Sequence, residues 1–232
     1  MSSIVLLHGA LGAASQFAEL SQRLNANGTQ VYPLNFSGHG GADFSNNGFG
    51  IEVFAEELKN FLDEHALKNI DVFAYSMGGY VALWLAHQHP AYFKRIITLG
   101  TKFDWSPEAA AKEVKLLNPE KLLEKIPAFA KTLQERHEPN DWKLLMQKTA
   151  DMMLALGEKP LLTETVLKQI DIPVLVCQGE LDNMADMNYT KQVASFLPNG
   201  KFLMMKSSPH PFEKINLKTI LEIIRSNMYK GL

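Results

Sequence analysis

A chain of 232 residues with 46% apolar and 21% charged side chains has the make-up of one sizeable globular α/β domain with a well-filled core. A formal net charge of −2 leaves no global field to recruit nucleic acid or an anionic membrane. The single cysteine, Cys177, excludes an internal disulfide and sits in the apolar run "IPVLVCQG", where it reads as a small core residue.

In chain order, the first strand is expected at Ile4–His8; its apolar run, Ile4–Leu7, has no basic residues before it and is too short for a signal segment or a membrane span. A cytoplasmic protein is the resulting expectation. A helical pattern over Ser15–Asn25 ends at "NANG", where Gly28 suits a helix stop. Further strands are expected at Val31–Phe36, Ile70–Tyr75, Arg95–Leu99, Pro173–Gln178 and Phe202–Lys206. The helices between and after them are Ile51–Glu64, Met77–His87, Tyr189–Phe196 and Asn216–Met228. Short runs apolar on both faces, alternating with helical segments, indicate a parallel sheet covered on each side. No repeat or low-complexity tract breaks the chain.

One interval departs from this alternation. Phe103–Lys168 carries amphipathic helical segments punctuated by Pro107, Pro119, Pro127, Pro139 and Pro160, and no strand pattern. So long a stretch between strands predicts a helical cap on a core made of 1–102 and 169–232. Its 11 acidic and 10 basic residues nearly cancel, so it offers no cationic clamp for a phosphate tail.

The stretch "DVFAYSMGGYVALWLA" places Ser76 where an apolar strand turns into a helix, followed by Gly78 and Gly79. A helix cap has no need of those glycines; a serine held out on a tight strand-to-helix turn does. A serine hydroxyl becomes a useful nucleophile only with a base, a group that orients the base, and donors for the developing oxyanion. Asp182, in "CQGELDNMAD", follows the fifth strand, and His210, in "SSPHPFEKI", lies between two prolines after the sixth. Asp104, Asp186 and Glu180 are rival acids, Asp104 the most serious because it follows the fourth strand. "LLHGALG" supplies a glycine-bearing turn after the first strand, so the amides of Ala10 and Met77 are the candidate oxyanion donors. His8 and His39 read as structural histidines of their turns. No histidine or cysteine spacing suits zinc, and "SGHGG" lacks the Lys-Ser/Thr ending of a phosphate loop.

Together, "HG" after the first strand, "SGHGGA" after the second, "AYSMGG", "GELD" and "PHP" resemble the α/β-hydrolase fold superfamily over nearly the whole chain. The resemblance implies a Ser76–His210–Asp182 triad, oxyanion donors at Ala10 and Met77, a cap over 103–168, and no metal or organic cofactor. It implies a mostly parallel six-stranded sheet in the order second, first, third, fourth, fifth, sixth, without the two strands that often precede the "HG" strand. Three positions depart from the family pattern: Ala74 for the elbow's first glycine, Asn35 for an aspartate, and Pro209 for a glycine. The implied activity is hydrolysis of a small, largely uncharged ester, with a small molecule as the only required partner and a homodimer left open. A carbon–carbon bond hydrolase or lyase would use the same triad, and a receptor-like binding module could keep the fold with little turnover.

Overall fold

The computed structural model describes residues 2–230. Six strands, β1 (Ser2–Leu7), β2 (Thr29–Leu34), β3 (Ile70–Tyr75), β4 (Phe93–Leu99), β5 (Val174–Leu181) and β6 (Gly200–Pro209), form one sheet in the order β2-β1-β3-β4-β5-β6. Every neighbouring pair is parallel. Chain order and sheet order agree with the expected arrangement.

Alternation along the strands divides the core in two. Val5 and Leu7, Val72 and Ala74, and Val174 and Val176 face one side. Their neighbours Ile4 and Leu6, Phe73 and Tyr75, and Leu175 and Cys177 face the other. The first face is covered by α2 (Ile51–Glu64), α3 (Met77–Gln88) and α9 (Met187–Phe196), the second by α1 (Ala18–Asn25) and α10 (Leu217–Lys230). Helix α2 shows why: Ile51, Phe54, Ala55, Leu58 and Leu62 are buried at the spacing of one helical face. Cys177 is fully within the second core, and burial pushes its thiol well above the usual range. It is a packing residue.

Strand limits differ from the sequence expectation where the sheet edge sets them. The sequence predicts β2 from Val31; it starts at Thr29 and passes through Pro33, which an edge strand tolerates because its missing N–H costs no central ladder bond. β6 runs on to Pro209 because it pairs with β5 beyond a register shift at Gly179/Leu181, delivering the chain straight to His210.

Between β4 and β5 lie only helices: α4 (Pro107–Val114), α5 (Pro119–Lys125), α6 (Pro127–His137), α7 (Trp142–Glu158) and α8 (Glu164–Leu167). Proline opens α4, α5 and α6, where its missing N–H leaves no bond unmade. Ala130 and Leu133 of α6 pack on Trp142 and Met146 of α7 as a small separate core. Helix α4 lies along α7, and Gly157 permits the close approach: a Cβ there would stand 2.6 Å from that of Ala110.

Candidate active site

The C-terminal ends of β3, β5 and β6 bring Ser76, Asp182 and His210 together. Ser76 occupies the turn between β3 and α3 with φ 50° and ψ −119°, a conformation that costs a non-glycine residue ~1–3 kcal/mol. Its surroundings hold it there. The Ser76 amide donates to the Leu99 carbonyl of β4 at 2.8 Å, and the Thr101 hydroxyl donates to the Ser76 carbonyl at 2.9 Å. The two following glycines are close approaches: a Cβ on Gly78 would lie 2.7 Å from the Leu7 carbonyl, and one on Gly79 2.0 Å from the Thr101 hydroxyl. Bulk at either position would push α3, and Ser76 with it, off β1 and β4.

His210 lies between Ser76 and Asp182. Its Nδ1 is 2.8 Å from Oδ2 of Asp182, and its Nε2 is 3.4 Å from Oγ of Ser76. Oδ1 of Asp182 accepts from the amides of Met184 and Ala185, so both carboxylate oxygens are engaged and the side chain is almost wholly buried. A carboxylate that can only accept fixes the proton of His210 on Nδ1 and leaves Nε2 as an acceptor facing the serine. The rival acids are occupied elsewhere: Asp104 pairs with Lys102, Asp186 caps α9 by accepting from the Tyr189 amide, and Glu180 accepts from the Ser207 amide.

Ala10 and Met77 border the same cavity as Ser76 and His210. The Met77 amide belongs to the first turn of α3, where amides have no acceptor inside the helix and the helix dipole favours negative charge. Ala10 lies inside the turn closed by the Gly12 amide and the Gly9 carbonyl, which leaves its own amide outside that bond.

The loop carrying Ala10 is held by side chains far away in the sequence. Asn35 accepts from the Ala14 amide at 2.6 Å and donates to the Gly40 carbonyl at 3.2 Å. His8 donates from Nδ1 to the Gly9 carbonyl and accepts the Phe36 amide on Nε2. His137, at the end of α6, accepts the Gly40 amide on Nδ1 and donates from Nε2 to the Leu11 carbonyl, which also receives Arg136. These bonds require neutral rings, and burial lowers both His8 and His137 to about 4. His39, packed against both rings, is lowered well below its usual value, first by burial and then by His8. The expectation that His8 and His39 are structural fits this packing. His137 was invisible in the sequence, where it reads as one more polar residue at the end of an amphipathic helix.

Tyr75, just before the serine, is a second unforeseen contributor. Its hydroxyl donates to the His210 carbonyl at 2.6 Å, and its ring packs against His210 and Phe212. Burial and then the Asp182 charge push this phenol far above its usual range, so it remains a donor.

Two cavities meet at Ser76 and His210. One, about 50 Å3, runs inward between Tyr80, Trp105, Met152 and Leu156 and reaches Lys102 and Glu113. The other, about 340 Å3, opens outward past Leu116, Leu117, Leu122, Phe129 and Met153, with Arg136 and Glu213 at one side. Among the described residues no cluster of three or more histidine, cysteine, aspartate or glutamate side chains could hold a metal ion, and no helix is long and apolar enough to cross a membrane.

Comparison with known proteins agrees with this architecture. NosK from Streptomyces actuosus superposes with a TM-score of 0.82 at 18% identity, covering 99% of this chain and 98% of that one. A thermophilic esterase from Thermogutta terrifontis, solved with malate bound, gives 0.78 at 18% identity over 99% of this chain and 90% of the other. At such identities the likeness is one of fold. Ethanol acetyltransferase 1 of Cyberlindnera fabianii is 31% identical over 98 residues, 41% of this chain and 29% of that enzyme. The stretch aligned is under a third of the length of the curated acetyltransferases it matches. The alpha/beta hydrolase fold family model matches residues 3–141, from β1 through α6. The chain belongs to the alpha/beta hydrolase fold family.

Proposed function

We propose that the protein is a serine hydrolase of small esters. Ser76 attacks the ester carbonyl, His210 takes its proton on Nε2 and passes it to the departing alcohol, and Asp182 holds the imidazolium that forms. The amides of Ala10 and Met77 receive the oxyanion. Water activated by His210 then releases the acid and restores Ser76.

The observation that carries this reading is His210 anchored at 2.8 Å on Asp182 with its free nitrogen 3.4 Å from the Ser76 hydroxyl. The second distance is long for a hydrogen bond, as is usual before substrate arrives. Helices α4–α7 act as a cap whose inner surface forms the two cavities. The inner one has room for roughly three to five waters, which suits a short acyl chain. The outer one suits a larger apolar alcohol.

A fluorophosphonate probe is expected to label Ser76, and His210→Ala to slow labelling and ester turnover by about 10^4-fold or more. Equal labelling of the two proteins would remove His210 from the mechanism.

The wide apolar groove favours one second reading, transfer of the acyl group to an alcohol instead of water. The acetyltransferase likeness points the same way. An alcohol seated in that groove would attack the acyl-enzyme and leave as a new ester. Adding ethanol or hexanol to a turnover assay and measuring ester against acid among the products separates the two.

A further inference from the structure

The inner cavity is walled mainly by apolar side chains, and Lys102 and Glu113 are the lysine and the carboxylate among the residues that line it. Glu113 of α4 is only 8% exposed, and it lines the cavity that Ser76 also borders. Its nearest cation, Lys102, stands 3.6 Å away, beyond hydrogen-bond reach. Lys102 is committed elsewhere, donating to Asp104 at 2.9 Å and to the Met184 carbonyl at 3.2 Å. Among the described residues Glu113 accepts no hydrogen bond, although an ionised carboxylate has about four acceptor positions. A carboxylate in a cavity wall with its acceptor positions open favours a donor supplied from that cavity. Lys102 is shared between two carboxylates, Asp104 at 2.9 Å and Glu113 at 3.6 Å, and Glu113 has the longer contact.

From this geometry we infer that Glu113 is a specificity residue and that the acyl group taken by the inner cavity is short and carries a hydrogen-bond donor, a hydroxyl or an ammonium, toward its far end. The inference rests on the esterase reading, because it assigns the inner cavity to the acyl group of a Ser76 ester. Apolar walls from Tyr80, Met152 and Leu156 accept the methylenes, and Glu113 receives the donor. An ammonium would give Glu113 a charge-assisted hydrogen bond, while a hydroxyl would give it a neutral-donor one.

The test is the ratio of kcat/KM values within one protein on three p-nitrophenyl esters of matched length: butyrate, 3-hydroxybutyrate and 3-aminopropanoate. Wild type is expected to favour the donor-bearing esters over butyrate by about tenfold or more, the usual worth of a hydrogen bond to a buried charge. Glu113→Met should bring both ratios to within about twofold of one. Glu113→Gln, which keeps the shape and one acceptor oxygen, should retain part of the hydroxyl preference and lose the ammonium preference. Equal wild-type efficiency on all three esters overturns the inference and leaves the esterase reading standing, as does a preference that survives in Glu113→Met. If no ester is turned over and Ser76 resists the fluorophosphonate probe, both fall together.

Discussion

His8, His39 and His137 on one side of the sheet's C-terminal edge and His210 on the other are the same side chain put to opposite uses. The first three are packed under the β1 turn, and on His8 and His137 both ring nitrogens are engaged. His210 has one nitrogen tied to Asp182 and the other turned toward a cavity. A ring with both nitrogens engaged, or with its second nitrogen sealed in the core like that of His39, can only hold a loop; a ring with one nitrogen open to a cavity can carry a proton. The difference comes from what surrounds each ring, because imidazole alone would titrate near neutrality in either place.

The largest expected effect tests the packed side. His8 and His137 bind protons near 4 when folded and near 6.5 when unfolded, so between those values the unfolded chain holds protons that the folded chain refuses. Stability is therefore full above pH 6.5 and falls as pH drops toward 4. His8 alone accounts for a loss on the order of 3 kcal/mol across that window. Denaturant unfolding followed by tryptophan fluorescence at pH 7 and pH 4.5 would measure it, and a midpoint that does not move would erase the distinction between the two sets of rings.

The next effect tests the free side. Gly100 has φ 63°, and a Cβ there would stand 3.1 Å from Oδ2 of Asp182 and 3.4 Å from the His210 ring. Gly100→Ala strains the backbone at that φ and is expected to shift the pair by a few tenths of an ångström, reducing kcat/KM by about 30-fold, less than the roughly 100-fold cost of a full ångström's misplacement at a reacting centre. Its far-ultraviolet spectrum should be unchanged. Activity within a few-fold of wild type would mean that the ring tolerates the movement.

Smallest is Tyr75→Phe, which removes the donor to the His210 carbonyl and nothing from the reacting groups. A loss of about tenfold in kcat with KM within twofold is expected, since one neutral hydrogen bond positions the base without touching substrate. A changed KM with unchanged kcat would assign Tyr75 to substrate binding instead.

Much of this arrangement was legible in the sequence because local signals and topology pointed the same way. Apolar runs at strand spacing, two glycines after Ser76 and prolines around His210 are all short-range features, and a parallel sheet must bring the ends of β3, β5 and β6 to one edge. What was not legible acts across the fold. Asn35 reaches Ala14, His137 reaches Leu11, and Tyr75 reaches the carbonyl of His210, 135 positions away. No window of sequence contains both partners. Glu113 was hidden differently: on an amphipathic helix with nearly balanced charges it reads as solvated surface, and only the packing of α4 along α7 buries it.

The left-handed backbone at Ser76 has a consequence for how such a chain evolves. Glycine would sit in that conformation with little penalty, so the residue proposed as the nucleophile is also one at which folding would gain from a change. Durability and reactivity pull against each other at a single codon, and any screen that rewards heat resistance alone will drift toward an inert scaffold.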